Sequence, residues 1–158
     1  MSVINSASTV LPSSSISSPV DVHIELPAVL PGDRRCRVEL PCVPESAGFA
    51  RKLVTTSLAA WSLDHLTDVA ELLVTELVAN AAKHTGCTRI SVSVKRQQAS
   101  VRVGVRDSSV ELPCRMEPKG EAESGYGLGL VDSLASGWGV DLAALGKWVW
   151  FELRTAAT

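Results

Sequence analysis

The sequence predicts an α+β protein, a two-layer sandwich in which helices cover one face of a mixed, mostly antiparallel sheet. Apolar residues alternate with polar residues in the short segments, which is the spacing of strands, and recur at helical spacing in two longer segments. The predicted order is strand, helix, helix, strand, strand, loop, helix, strand, strand. Strands and helices are therefore grouped rather than regularly alternating, which is typical of a segregated α+β fold.

The length of 158 residues leaves room for one domain of ordinary size. Residues 1–33 are rich in Ser, Pro and small aliphatic residues and show no sustained period. Such a composition buries too little apolar surface to offset the loss of chain entropy on folding. We therefore expect a disordered arm over 1–33 and a folded domain over 34–158.

The first half of the domain contains one strand and two helices. RCRVELPCV, from Arg35, alternates polar and apolar residues and predicts a strand that ends by Pro44. Helical spacing then predicts one helix that ends near Trp61 and a second that begins near Leu66. The second helix should end just before Gly86, because glycine tolerates the left-handed conformation that closes helices.

The second half contains two predicted hairpins. TRISVSVKRQQASVRVGVRD alternates twice around a polar tip, and WGVDLAA and KWVWFEL do so around Leu145–Gly146. The polar segment 108–124 is punctuated by Pro and Gly and predicts a mobile loop. A short helix is expected from about Leu128 to Ala135.

The sequence predicts a cytoplasmic protein that is not a general binder of nucleic acid or lipid. The net charge of -2 and the lack of a basic run give no general attraction to nucleic acid or to anionic lipid. No apolar run is long enough to span a bilayer, and the N-terminus lacks the pattern of an export signal. The four cysteines form no CxxC pair, so we expect reduced packing residues and no metal site; they are Cys36, Cys42, Cys87 and Cys114.

The second predicted helix carries polar residues within its apolar stripe. At about 100° per residue, Glu76, Asn80 and Lys83 share a narrow sector with Val69 and Leu73. A carboxylate and an amide buried there need partners, because unpaired buried polar groups are costly. A bound ligand is one explanation.

Protein side chains are the other explanation for this sector. Glu76 could pair with Arg102 or Arg106, and Asn80 could bond a backbone carbonyl. The helix pattern alone does not choose between the two.

Two further motifs lie downstream of this helix. GYGLGL places three glycines before a helix, where backbone N–H groups can approach a phosphate, although a flexible hinge has the same pattern. VGVRDSS ends a strand at Asp107, whose carboxylate can accept a hydrogen bond from an exocyclic amine such as that of adenine. An ordinary turn aspartate is the alternative.

Taken in order, these motifs resemble the ATP-binding domain of the GHKL family, the Bergerat fold shared by gyrase, a heat-shock chaperone, histidine kinases and a mismatch-repair protein. ELVANAAKH resembles the N box, VRDSS the G1 box and GYGLGL the G2 box, and GKWVWFEL matches the closing strand. The resemblance covers roughly Arg35 to Leu153. The short single-domain form is similar to anti-sigma factor kinases.

The resemblance implies ATP and Mg²⁺ as ligands and assigns roles to the motif residues. Asn80 becomes the magnesium ligand, Glu76 the general base, Asp107 the acceptor for the adenine amine, and Lys83 a neighbour of the phosphates. The G2 residues expected to close over the triphosphate are Gly125, Gly127, Leu128 and Gly129. The implied partners are a sigma factor and an antagonist protein phosphorylated on Ser or Thr, and the relatives imply a homodimer.

Two residues depart from the family pattern. Ser109 stands where the G1 box usually has glycine, and Trp148 where the closing strand often has threonine near the adenine, unless a one-residue shift in register points Trp148 outward. We expect Trp138, Trp148 and Trp150 to pack the sheet against the helices. These departures motivate one alternative, a non-catalytic protein-binding module on the same fold. A separate alternative is a detached histidine-kinase-like catalytic domain that acts on a separate phosphoacceptor.

Overall fold

The computed structural model describes residues 24–83, 86–108, 128–144 and 146–156. Within these ranges the chain forms five strands and three α-helices, and short 3-10 turns precede the first two helices. In chain order these elements are β1 (Arg35–Pro41), α1 (Ala47–Ala60), α2 (Thr67–Ala82), β2 (Arg89–Arg96), β3 (Ser100–Asp107), α3 (Leu128–Leu134), β4 (Gly137–Ala143) and β5 (Gly146–Arg154).

The strands form one sheet in the order β1-β2-β3-β5-β4, and every neighbouring pair is antiparallel. Both predicted hairpins are present, β2–β3 and β4–β5. The long connection from β3 to β4 inserts β5 between them. The prediction of an α+β sandwich with helices on one face is confirmed.

All three helices pack on the same face of this sheet. The inward residues of the strands are mostly Val, Leu, Ile and Phe, and they join the buried residues of α1 and α2 in one core. Helix α2 lies across β3 and β5, with α3 beside it. Burial of this apolar stripe, rather than intrinsic helix propensity, is the main stabilisation of such a helix.

The opposite face of the sheet carries no described helix, and two tryptophans lie there. In β5, Lys147, Val149, Phe151 and Leu153 alternate as buried residues, so the residues between them point to the open face. The expectation that Trp148 and Trp150 pack the sheet against the helices is therefore wrong. Trp138 does pack on the helical side, where its Nε1 donates a hydrogen bond to Asp132 Oδ1 of α3 at 2.8 Å.

The cysteine prediction needs a correction. Cys42 and Cys87 form a disulfide, which joins the chain just after β1 to the segment between α2 and β2. Sequence spacing missed this pair because the two residues are 45 positions apart and are brought together only by the pairing of β1 with β2. Cys36 is a buried free thiol whose pKa is raised by desolvation, as expected of a packing residue. Cys114 lies outside the described residues.

Residues 24–33 have no helix or strand, but they lie against the domain. Ile24 and Val29 contact the core, and the Trp61 indole donates a hydrogen bond to the Asp33 carbonyl oxygen at 2.7 Å. The boundary at residue 34 stays a prediction, and residues 1–23 lie outside the described part. None of the helices in the described ranges has the length and hydropathy needed to cross a bilayer.

Candidate functional site

Helix α2 places its two polar candidates at different depths. Asn80 is 1% exposed and lies in the last turns of the helix, while Glu76, one turn earlier, is half-buried. Leu73 and Leu77 beside them are buried and hold this stretch of the helix against the sheet. The amide is therefore enclosed by the protein, and the carboxylate one turn earlier has access to solvent.

Glu76 does not pair with the arginines considered from the sequence. Arg102 and Arg106 alternate with the inward residues of β3, so both project from the open face of the sheet, away from α2. Arg102 instead binds Glu152 on β5. The alternative in which Glu76 pairs with either arginine is therefore wrong, and the carboxylate is half-buried at the surface of α2.

Lys83 and Gly86 mark the end of α2. Lys83 is the residue at which the helix ends and is exposed. Gly86 has φ 86°, the left-handed conformation predicted from the sequence for the residue that redirects the chain. His84 and Thr85 lie outside the described residues. Lys83 therefore lies at the surface, near the end of the helix that contains the buried Asn80.

Asp107 ends β3 on the helical side of the sheet and is buried. Its carboxylate lies opposite Lys147 of β5, and Lys147 Nζ donates to Asp107 Oδ2 at 3.1 Å. Both side chains are 2% exposed, so the ion pair is shielded from water. The predicted adenine-binding carboxylate therefore carries a protein cation in this structure.

Gly146 makes this pairing possible. It has φ +108°, a conformation that side chains with a Cβ rarely adopt, and a Cβ there would clash with the backbone oxygen of Asp107. The start of β5 consequently lies directly against the end of β3. This close approach brings Lys147 into contact with Asp107.

Lys147, which the sequence analysis missed, is the residue of the closing strand that enters the site. Trp148 points to the open face, the outward orientation that the sequence had left open, so it lies on the side of the sheet opposite Lys147 and Asp107. The signal was present in the sequence, because Lys147 has the same parity as Val149, Phe151 and Leu153. A lysine that begins a run of inward residues must be buried with a partner.

The glycine-rich segment is described only from its second half. Leu128 is buried at the first residue of α3, and Gly129 follows it. A Cβ built at Gly129 meets no atom within 4 Å, so packing among the described residues does not require glycine in this helix. Glycine also costs helix stability relative to alanine, so helix propensity does not explain the residue either. Gly125, Gly127 and Ser109 lie outside the described residues.

These elements fit a magnesium–nucleotide ligand in part. Mg²⁺ prefers oxygen ligands and keeps several waters, so one amide oxygen at Asn80 is a suitable protein contribution beside phosphate oxygens. Helices α2 and α3 lie side by side, so the glycine-rich segment leads into a helix that neighbours the helix of Asn80. The exception is Asp107, where Lys147 competes with an exocyclic amine for the carboxylate.

The comparison with known protein families agrees with this arrangement. The sequence model of the family described as histidine kinase-, DNA gyrase B-, and HSP90-like ATPase matches residues 67–157, from the start of α2 to beyond β5. The match covers more than half of the chain and includes α2, β3, α3 and β5. A search of curated proteins found no match.

Proposed function

The chain belongs to the histidine kinase-, DNA gyrase B- and HSP90-like ATPase family, and from this premise we propose that it is a regulatory kinase of the anti-sigma factor type. It binds ATP with Mg²⁺ between α2, α3 and the ends of β3 and β5. It transfers a phosphoryl group to a Ser or Thr of an antagonist protein and sequesters a sigma factor. We place this activity in the cytoplasm, and the active unit is a homodimer.

The observation that carries this proposal is the pair of polar residues on α2. Asn80 is buried near the end of the helix, and Glu76 lies one turn away with solvent access. The amide oxygen of Asn80 would hold Mg²⁺, which neutralises charge on the transferring phosphoryl group. The Glu76 carboxylate is placed to accept the proton of a Ser or Thr hydroxyl, and Lys83 to bind phosphate.

A second candidate, a non-catalytic binding module on the same fold, is favoured by one observation. Lys147 already donates a hydrogen bond to the Asp107 carboxylate, and an adenine amine must displace or share that contact. If the contact persists, nucleotide binds weakly and the fold serves only to hold a regulator. Trp148 no longer supports this alternative, because its side chain lies on the open face of the sheet, away from Asp107.

The first test is a titration of ATP by calorimetry with and without Mg²⁺. We expect Asn80→Ala to weaken magnesium-dependent binding by at least about tenfold, since it removes the only proposed protein ligand of the metal. Gln98→Ala is the matched control, because it removes an exposed amide at the tip of the β2–β3 hairpin. Equal ATP affinity for wild type and Asn80→Ala would reject the assigned metal site.

The second test separates phosphoryl transfer from binding. Glu76→Gln keeps the size and polarity of the side chain but cannot accept a proton, so ATP affinity should be retained while transfer to a candidate antagonist falls by about 10²-fold or more. Phosphate on the antagonist should be acid-stable. Acid-labile phosphate would instead support the histidine-kinase alternative, and absence of ATP binding by the wild type would support the binding module.

A further inference from the structure

The open face of the sheet contains a groove of about 260 Å³ with an unusual charge distribution. Four cations contribute to its walls, Arg35, Arg37, Lys95 and Arg102, against one carboxylate, Asp141. The whole chain has a net charge of -2, so positive charge is concentrated on this face. The groove lies on one side of the sheet, and Asn80 and Asp107 lie on the other.

The floor of the groove is made by two indole rings that lie over glycines. A Cβ at Gly104 of β3 would be 3.1 Å from Trp148 Cε3, and one at Gly139 of β4 would be 2.8 Å from Trp150 Cζ2. Both glycines point to the open face, directly across from Trp150 in neighbouring strands. The missing side chains leave room for the rings to lie against the backbone, which fixes their position.

Each indole carries a guanidinium over its ring. The Cζ atom of Arg37 lies 5.3 Å from the Trp148 ring centroid, and that of Arg102 lies 3.8 Å from the Trp150 ring centroid. Stacking on an aromatic face fixes the plane of a guanidinium while its N–H groups point outward from the ring edge. In Arg102 these N–H groups donate to the Glu152 carboxylate, at 2.8 Å.

The cations on the β1–β2 side of the groove are less closely paired with carboxylates than Arg102 is. The Arg37 side chain is 46% exposed, and its nearest carboxylate, that of Glu39, lies at 3.7 Å. Among the described residues, Arg35 and Lys95 form no salt bridge, and both are exposed. Three accessible cations therefore line one wall, with Arg37 oriented by its indole.

We infer that this groove binds an acidic segment of a partner protein, with carboxylates that pair with Arg35, Arg37 and Lys95. Oriented guanidinium groups are suited to bidentate carboxylate recognition, and half-buried tryptophans are the residues that anchor protein interfaces. The inference goes beyond the proposed kinase activity and does not depend on it, because the groove and the nucleotide site lie on opposite faces of the sheet.

The same observations disfavour two other occupants. Nucleic-acid bases bind open sheets by stacking on aromatic rings, but here each ring lies between a glycine backbone and a guanidinium. A second copy of the chain, packed face to face, would bring two sets of these cations together, and like charges in an interface oppose association.

The test uses fluorescence anisotropy with the full chain and three labelled probes. The first is a peptide of alternating glutamate and glycine, the second the same peptide with glutamine for glutamate, and the third an oligothymidylate of equal charge to the first. We expect the glutamate peptide to bind at least about tenfold more tightly than the glutamine peptide and to weaken as salt rises. Equal binding of the two peptides, or tighter binding of the oligothymidylate, would overturn the inference.

Variants then locate the binding site on the protein. The double substitution Arg37→Glu with Lys95→Glu should weaken binding of the glutamate peptide by about tenfold or more. Lys52→Glu, on an exposed position of α1 on the helical layer, makes the same kind of charge change away from the groove and should leave affinity unchanged. Loss of binding in Lys52→Glu alone would contradict the assignment.

Two parallel measurements keep the result interpretable. Thermal unfolding should show that the groove variants are folded, and ATP titration should be unchanged in them. Peptide binding without ATP binding would reject the proposed kinase and leave the groove intact, while the reverse result would reject the groove alone. If the double variant instead converts a dimer to a monomer in sedimentation, the face is an interface between copies and the inference fails.

Discussion

Strands β3 and β5 carry two ion pairs that differ mainly in which side of the sheet they occupy. Asp107–Lys147 and Arg102–Glu152 are both directly opposed in register, at 3.1 Å and 2.8 Å. The first pair lies under the helices with both side chains 2% exposed, and the second lies on the open face at 35% and 24%. Strands β3 and β5 therefore hold one ion pair that is buried and one that is partly exposed to water.

The two environments give the pairs different consequences for stability. A buried charge that loses its partner pays a large desolvation cost, whereas an exposed pair is screened by water and salt. The buried pair therefore constrains the site where we propose that nucleotide binds. The exposed pair orients Arg102 over Trp150 and can rearrange when a ligand arrives.

The largest effect should come from breaking the buried pair. Lys147→Met keeps most of the length of the side chain but leaves the Asp107 carboxylate buried without this cation, so we expect a loss of about 3–5 kcal/mol in the free energy of unfolding. Urea denaturation measures it. Lys95→Met, on the open face of β2, is the matched control and should change stability by less than about 0.5 kcal/mol.

The double variant sharpens this prediction. Asp107→Asn combined with Lys147→Met removes both charges and should recover part of the loss, because no uncompensated charge remains. A loss below about 1 kcal/mol for Lys147→Met alone would mean that the pair is hydrated, and would place it with ordinary surface pairs.

The disulfide closes the same end of the sheet and should have the next largest effect. Cys42 follows β1 and Cys87 precedes β2, whose Ile90 is paired with Asp107. Reduction with a dithiol should lower the free energy of unfolding by about 2–4 kcal/mol. A Cys42→Ser, Cys87→Ser variant should show that loss without reductant and no further change with it; sensitivity to reductant in that variant would argue against the bond.

The elements of the fold were accessible from the sequence because each has a strong local period. The two hairpins and the helices from 47–60 and 67–82 follow from alternation and from helical spacing, and Gly86 has the left-handed conformation predicted for the turn after α2. The burial of Asn80 also follows from its place in the apolar stripe. Local patterns were sufficient for these features because side-chain direction is set by the backbone period.

Features that depend on contacts between distant strands were not accessible in the same way. The disulfide and the Asp107–Lys147 pair need the strand order and register, which no single segment encodes. The orientation of Trp148 and Trp150 was missed for another reason. Large aromatic residues were assigned to the core by their type, although the alternation of KWVWFEL already put them on the opposite face from Phe151.

Gly146→Ala should act on the buried pair through the backbone and have an intermediate effect. The new Cβ would clash with the Asp107 carbonyl and force a residue into φ +108°, so we expect a loss of about 1–3 kcal/mol. Gly137→Ala in β4 is the control, since a Cβ there meets nothing within 4 Å. Equal stability of the two variants by urea denaturation would show that β5 can move away from β3 at no cost.

The smallest effect belongs to the exposed pair, and it tests the comparison most directly. Glu152→Gln keeps the shape of the side chain and removes its charge, so the free energy of unfolding should fall by less than about 1 kcal/mol. That difference should disappear in about 1 M salt, because the Coulomb term is screened while the stacking of Arg102 on Trp150 is not. A loss as large as that of Lys147→Met, and insensitive to salt, would mean that the open face is as shielded from water as the helical face. The groove on that face would then already be covered in the free protein, and an acidic partner could bind only after displacing the cover.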